Sequence, residues 1–105
     1  MFVIVYDDGV AVGMGGWRRY GTGGVGEIKR MFVRESARGR GLARLLLAHL
    51  ESTGVEAGIR RFVLETGLEQ PEAIALYRSS GFDDVPPFGH YADYDDSVHL
   101  GRDLS

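Results

Sequence analysis

Arg38-Gly39-Arg40-Gly41-Leu42-Ala43 separates two runs of different periodicity, and the fold is decided at that junction. Before it, Glu27–Val33 alternates with period two. Glu27, Lys29, Met31 and Val33 fall on one face and Ile28, Arg30 and Phe32 on the other, the spacing of a strand. After it, Leu42, Leu45, Leu46, His49 and Leu50 recur at i, i+3, i+4, i+7 and i+8. That spacing predicts an amphipathic helix of about fourteen residues ending near Gly54, with His49 packed or at its boundary. Arg61–Glu65 then reads as a further strand, so strand, helix and strand form a βαβ unit with its two strands parallel.

Outward from this unit the elements are short. Phe2–Tyr6 and Val10–Trp17 flank the turn signal Asp7-Asp8-Gly9 and predict a β-hairpin. Tyr20–Gly26 has four glycines in seven residues and reads as a loop. Gln70–Ser80 predicts a second helix, with Pro71 in its first turn, Ala73, Ile74 and Tyr77 on one face, and Gly81 ending it. Phe82–Asp84 and Ser97–Leu100 read as strands around a long loop, Val85–Tyr94. The expectation is a single domain over residues 1–105, α/β (α+β in some schemes), with a mixed sheet, a central βαβ unit and two main helices.

Composition fits this outline. With 44% hydrophobic and 26% charged residues, the 105-residue chain reads as one soluble globular domain. A net charge of −3 gives a nucleic-acid partner no support over the whole chain. Yet Arg34, Arg38, Arg40 and Arg44 crowd the junction, so a small anion meets positive potential there. The acids Asp83, Asp84, Asp93, Asp95 and Asp96 gather near the C-terminus. The chain has no cysteine, which excludes disulfides, a thiolate nucleophile and cysteine-bound zinc. No two histidines have metal-ligand spacing, so no metal is expected. The apolar opening Met1–Tyr6 lacks a basic n-region and meets Asp7-Asp8, so it reads as a strand, with no membrane span and a cytoplasmic location expected.

The junction suits phosphate. The first four N–H groups of a helix lack internal partners, and the helix dipole adds partial positive charge there. Gly39 and Gly41 leave the backbone open to a ligand, and Arg38 and Arg40 add full charges. A pyrophosphate fits such a site, and a surface turn with solubilising arginines is the plainer alternative. A dinucleotide fingerprint would need glycine or alanine where Arg44 stands, and a Walker loop would need Gly-Lys-Ser/Thr, which is missing.

Two motifs, taken together, make the chain resemble the GNAT acetyltransferase superfamily. That family's pyrophosphate loop, Gln/Arg-x-x-Gly-x-Gly/Ala, is matched by Arg38, Gly41 and Ala43. Its downstream pattern Asn-x-x-Ala-x-x-Leu-Tyr-x-x-x-Gly-Phe is matched by Ala73, Leu76, Tyr77, Gly81 and Phe82, with Gln70 in place of Asn. The resemblance implies transfer of an acetyl group from acetyl-CoA to a primary amine by direct attack. It implies a strand splayed from its neighbour at Met31, Phe32 and Val33, whose backbone pairs with the pantetheine arm, with a backbone N–H there polarising the acetyl carbonyl. It implies a pyrophosphate on Arg38, Gly39, Arg40, Gly41, Leu42 and Ala43, and a contact from Gln70 to the cofactor arm or, alternatively, a weak helix cap. Tyr77 matches the family's proton donor to the departing thiolate, the alternative being a tyrosine of an amphipathic helix that packs on the sheet.

For the proton lost by the amine, Glu27 is the first candidate, because a carboxylate in a sheet is disfavoured without a reason. A pair with Lys29 or Arg61 is its alternative, and Glu65 is the second candidate base. Trp17 either packs in the hairpin or floors the acceptor pocket, and His90 is a loop residue or an acceptor contact. Typical family members carry a strand and two helices before the hairpin that opens this sequence, and those helices commonly wall the acceptor pocket. That departure raises two further expectations: a non-catalytic CoA-binding or regulatory module as the alternative function, and a homodimer in which a second copy covers exposed surface.

Overall fold

The computed structural model describes residues 1–39, 41–67, 71–88 and 97–104. Among the described residues six strands and two α-helices appear in the expected order. They are β1 Phe2–Asp7, β2 Val10–Arg19, β3 Val25–Val33, α1 Leu42–Glu56, β4 Arg61–Gly67, α2 Pro71–Ser79, β5 Asp83–Asp84 and β6 Ser97–Asp103. The strands form one sheet in the order β1-β2-β3-β4-β6-β5. Only β3 and β4 run parallel, as the βαβ reading requires, and the other neighbours are antiparallel.

Both helices pack on one face of the sheet. There Trp17, Ile28, Leu46, Leu47, Leu50, Phe62, Leu64, Tyr77, Phe82 and Leu100 build the core, with Val3, Val5 and Met31 packed against it. The sheet glycines let α1 come close. A Cβ on Gly15 would lie 3.3 Å from Leu46 and 3.4 Å from Leu50. Trp17 is a core residue: its Nε1 donates to Thr53 Oγ1 at 2.9 Å and its ring tilts against Phe62.

Three sequence expectations are corrected. The buried stripe of α1 is Leu46, Leu47, Leu50 and Gly54, so Leu45, 68% exposed, and His49 face solvent. The run of leucines permits two stripes about one residue apart, and contact with the sheet selects the one that includes Leu47. Nor does the helix stop at Gly54. It runs to Glu56, and Gly54 is an interior contact where a Cβ would lie 2.6 Å from the Phe62 ring.

The third correction is in β3. Arg30 adopts φ +58°, and the register slips between Gly16↔Lys29 and Met14↔Phe32. Such a bulge adds a residue and breaks the alternation. Met31 consequently lies on the helical face with Ile28, and does not share a face with Glu27.

Candidate active site

The bulge coincides with a parting of the sheet. β3 and β4 share three register pairs, the last being Glu27↔Val63. Beyond it β4 pairs with β6, while β3 stays with β2. On the helical face this opens into a cleft of about 710 Å³. Its walls are Met31, Phe32 and Val33 from β3, the loop Ala37–Gly39, the start of α1 from Gly41 to Arg44, and Pro71, Glu72, Ala73, Leu76 and Tyr77 from α2.

One end of the cleft is the N-terminus of α1. Gly41 is its N-cap at φ 76°, ψ 11°, with no side chain capping the helix and no acid in its first turn. Gly39 is also left-handed, at φ 81°. A Cβ at either glycine would meet nothing within 4 Å. The glycines are therefore required by backbone conformation, and the space over them is open. Arg38 Nε donates to the Val33 carbonyl at 3.0 Å, which ties the loop to the end of β3. Arg44 donates to Ser79 Oγ at 2.7 Å and latches α1 to α2.

The cleft thus gathers Met31, Phe32, Val33, Arg38, Gly39, Gly41, Leu42, Ala43 and Tyr77 from the sequence-predicted set. Arg40, Gln70 and His90 lie outside the described residues. Ala37, Arg44 and the first turn of α2 also line the cleft, although the sequence names none of them as a cofactor contact. Arg44 carries a signal there, as the fourth arginine of the junction.

Tyr77 is 5% exposed and stands edge-on to Phe82 at 5.7 Å. Burial pushes its hydroxyl up from 10.0 to about 12, so it stays protonated across the physiological range.

Glu27 sits elsewhere. Its β3 neighbour Ile28 points into the core, so Glu27 points to the far face, at the apex of the parting strands. It is 8% exposed and lies 3.6 Å from both Arg18 Nη2 and Lys29 Nζ. The expected partner Lys29 is there, whereas Arg61 pairs instead with Asp103. Glu65, also on the far face, accepts a hydrogen bond from Ser97 Oγ at 2.8 Å. Beside it in register is His99, buried, which the sequence reading passed over. A lone histidine in a strand carries no local signal, and only the strand register reveals its neighbours.

Among the described residues no cluster of three or more His, Asp or Glu is placed to hold a metal, and no helix is long and apolar enough to cross a membrane.

Comparison with known proteins agrees with this geometry. The "IAA acetyltransferase" of Azospirillum brasilense is 44% identical over 90 residues, covering 86% of this chain and 59% of that protein. The chain therefore spans less than two-thirds of the length of that relative. A crystal structure of a GNAT-family acetyltransferase from Staphylococcus aureus Mu50 superposes with a TM-score of 0.86 at 22% identity, covering 99% of this chain and 67% of that one. The PaiA N-acetyltransferase of Thermoplasma acidophilum, in complex with coenzyme A, gives a TM-score of 0.84 at 14% identity, covering 98% of this chain and 60% of that one. These two likenesses speak for the fold. The sequence profile of the acetyltransferase (GNAT) family matches residues 1–82, and with the 44% identical relative it establishes that this chain belongs to that family.

Proposed function

We propose that this chain binds acetyl-CoA along the cleft and passes its acetyl group to a primary amine arriving from the far face of the sheet. The observation that carries this reading is that one cleft joins an uncapped helix N-terminus to a strand parted from its neighbour. The first feature suits two linked phosphates and the second offers backbone groups to a ligand lying along the strand. Gly39, Gly41, Leu42 and Ala43 would hold the pyrophosphate through their backbone, with Arg38 and Arg40 adding charge. Met31, Phe32 and Val33 would hold the pantetheine arm, and Gln70 would contact it. Acetyl-CoA supplies the activated acyl group, and the remaining chemistry belongs to side chains.

Glu27, at the apex, receives the proton that the amine must lose, through a water. Its pairs with Arg18 and Lys29 are to solvent-exposed cations, so they are screened and leave the carboxylate available. Tyr77 donates a hydrogen bond to the departing sulfur. A free thiol titrates near 8.5, well below the tyrosine at about 12. Tyr77 therefore stabilises the thiolate through the hydrogen bond and keeps its own proton.

Two titrations test the proposal. CoA should raise the melting temperature more than 3′,5′-ADP does, because only CoA carries the arm. Acetyl-CoA should turn over with members of a panel of primary amines. Binding with no turnover favours the non-catalytic CoA-binding module, and equal binding of CoA and 3′,5′-ADP contradicts the placement of the arm.

A further inference from the structure

His99 is 6% exposed, and its Nε2 is, among the described residues, the buried side-chain polar atom left without a hydrogen-bond partner. Leaving such a nitrogen unpaired is unfavourable, and an apolar residue would serve packing better. The ring is not loosely held: Phe88 stands edge-on to it at 5.1 Å. Its backbone is fixed too, paired in register with Glu65 and accepting from the Val85 N–H at 3.0 Å. A fixed orientation and an unused nitrogen together describe a group set for a partner that arrives.

Its place says which partner. Leu100 points into the core, so His99 points to the far face, where Glu27 and Glu65 also point. From Glu27 the path to His99 crosses two strands and runs two residues along, about 12 Å between Cα atoms. That separation is the length of a small organic molecule. Glu27 stands at one end of the path and Glu65 at the other, with the imidazole beside Glu65 in register.

We propose that His99 Nε2 is an acceptor-binding group, taking a hydrogen bond from a second nitrogen of the amine substrate, whose positive charge Glu65 balances. The acceptor is then a short aliphatic diamine or a molecule presenting that pair of nitrogens. This rests on the acetyl-transfer reading, and the test separates the two.

The probes are 1,4-diaminobutane and 1-aminobutane, with acetyl-CoA, on the wild type, His99→Phe and His99→Gln. Phe keeps the ring packing without the nitrogen, and Gln returns a hydrogen-bond acceptor at a similar reach. The wild type should favour the diamine in kcat/KM by roughly 10-fold, the scale of one buried polar contact. His99→Phe should erase that preference, leave the KM for acetyl-CoA unchanged and hold or raise the melting temperature, while His99→Gln restores part of the preference. Amines acetylated with no diamine preference, or a preference that survives in His99→Phe, would overturn the assignment of His99 alone. So would a His99→Phe variant that melts well below the wild type, since the ring would then be structural. A wild type that binds acetyl-CoA but acetylates no amine would end the transfer reading, and this one with it.

Discussion

Tyr77 is where burial and chemistry meet. Its hydroxyl titrates near 12 in the fold and near 10.0 when unfolded, because desolvation disfavours the anion. A raised folded value means that the neutral form's contribution to stability is complete below pH 10 and is lost as pH rises toward 12, on the order of 2–3 kcal/mol in all. Spectrophotometric titration should therefore show one tyrosine ionising late, together with alkaline unfolding, and Tyr77→Phe should remove that phase. The same variant should lower kcat by roughly 10-fold with little change in the KM for acetyl-CoA, since the hydroxyl matters most when the sulfur departs. Glu27→Gln should cost about 100-fold in kcat and leave CoA binding intact, as measured by calorimetry.

A structural prediction belongs at the same scale. Gly54→Ala gains roughly 1 kcal/mol of helix propensity. Against this, the new methyl would sit 2.6 Å from Phe62, which is fully buried and cannot yield. Overpacking of that kind costs about 1–3 kcal/mol and should win, lowering the melting temperature by several degrees.

Among the elements, α1 and β3 place the site, and they were read from the sequence with unequal success. The helix was legible in its existence and start, because Leu42–Leu50 has helical spacing and Gly41 precedes it. Its facing was not, since Leu45, Leu46 and Leu47 are consecutive and either neighbouring stripe satisfies the pattern. The folded structure decides between them by burying Leu47 and leaving Leu45 exposed. β3 was legible as a strand, but its bulge was not. Arg30 takes a positive φ with none of the Gly, Asn or Asp signals that mark one, so the alternation reads straight through it and places Met31 on the wrong face. The start of α1 gives the prediction at this scale. Gly41→Val forces a β-branched residue to φ 76°, at a cost of about 1–3 kcal/mol. It also places methyl groups over the open amides, so CoA binding should fall below detection by calorimetry while the circular dichroism spectrum remains that of a folded protein.

For the molecule as a whole, the two faces of the sheet differ in kind. The helical face carries the core, whereas Phe2, Ile4 and Tyr6 on edge strand β1 are 51%, 47% and 63% exposed, with Phe32 at 52%. An edge strand flanked by exposed apolar side chains invites association. Sedimentation velocity should show concentration-dependent self-association of this chain, and Ile4→Lys should reduce it.

The order of elements, the parallel pair and the two motifs could be read from residue spacing because each is local. The parting of β3 from β4 and the grouping of Glu65, Ser97 and His99 could not, because both arise from strand register between distant segments.

Whether the cleft at the start of α1 holds the coenzyme is decided by an amide NMR titration of the wild-type chain with CoA. Shifts should concentrate at Gly39, Gly41, Leu42, Ala43 and Arg44, and along Met31–Val33. Saturating CoA that leaves those amides unmoved, or shifts confined to the far face of the sheet, would contradict that placement.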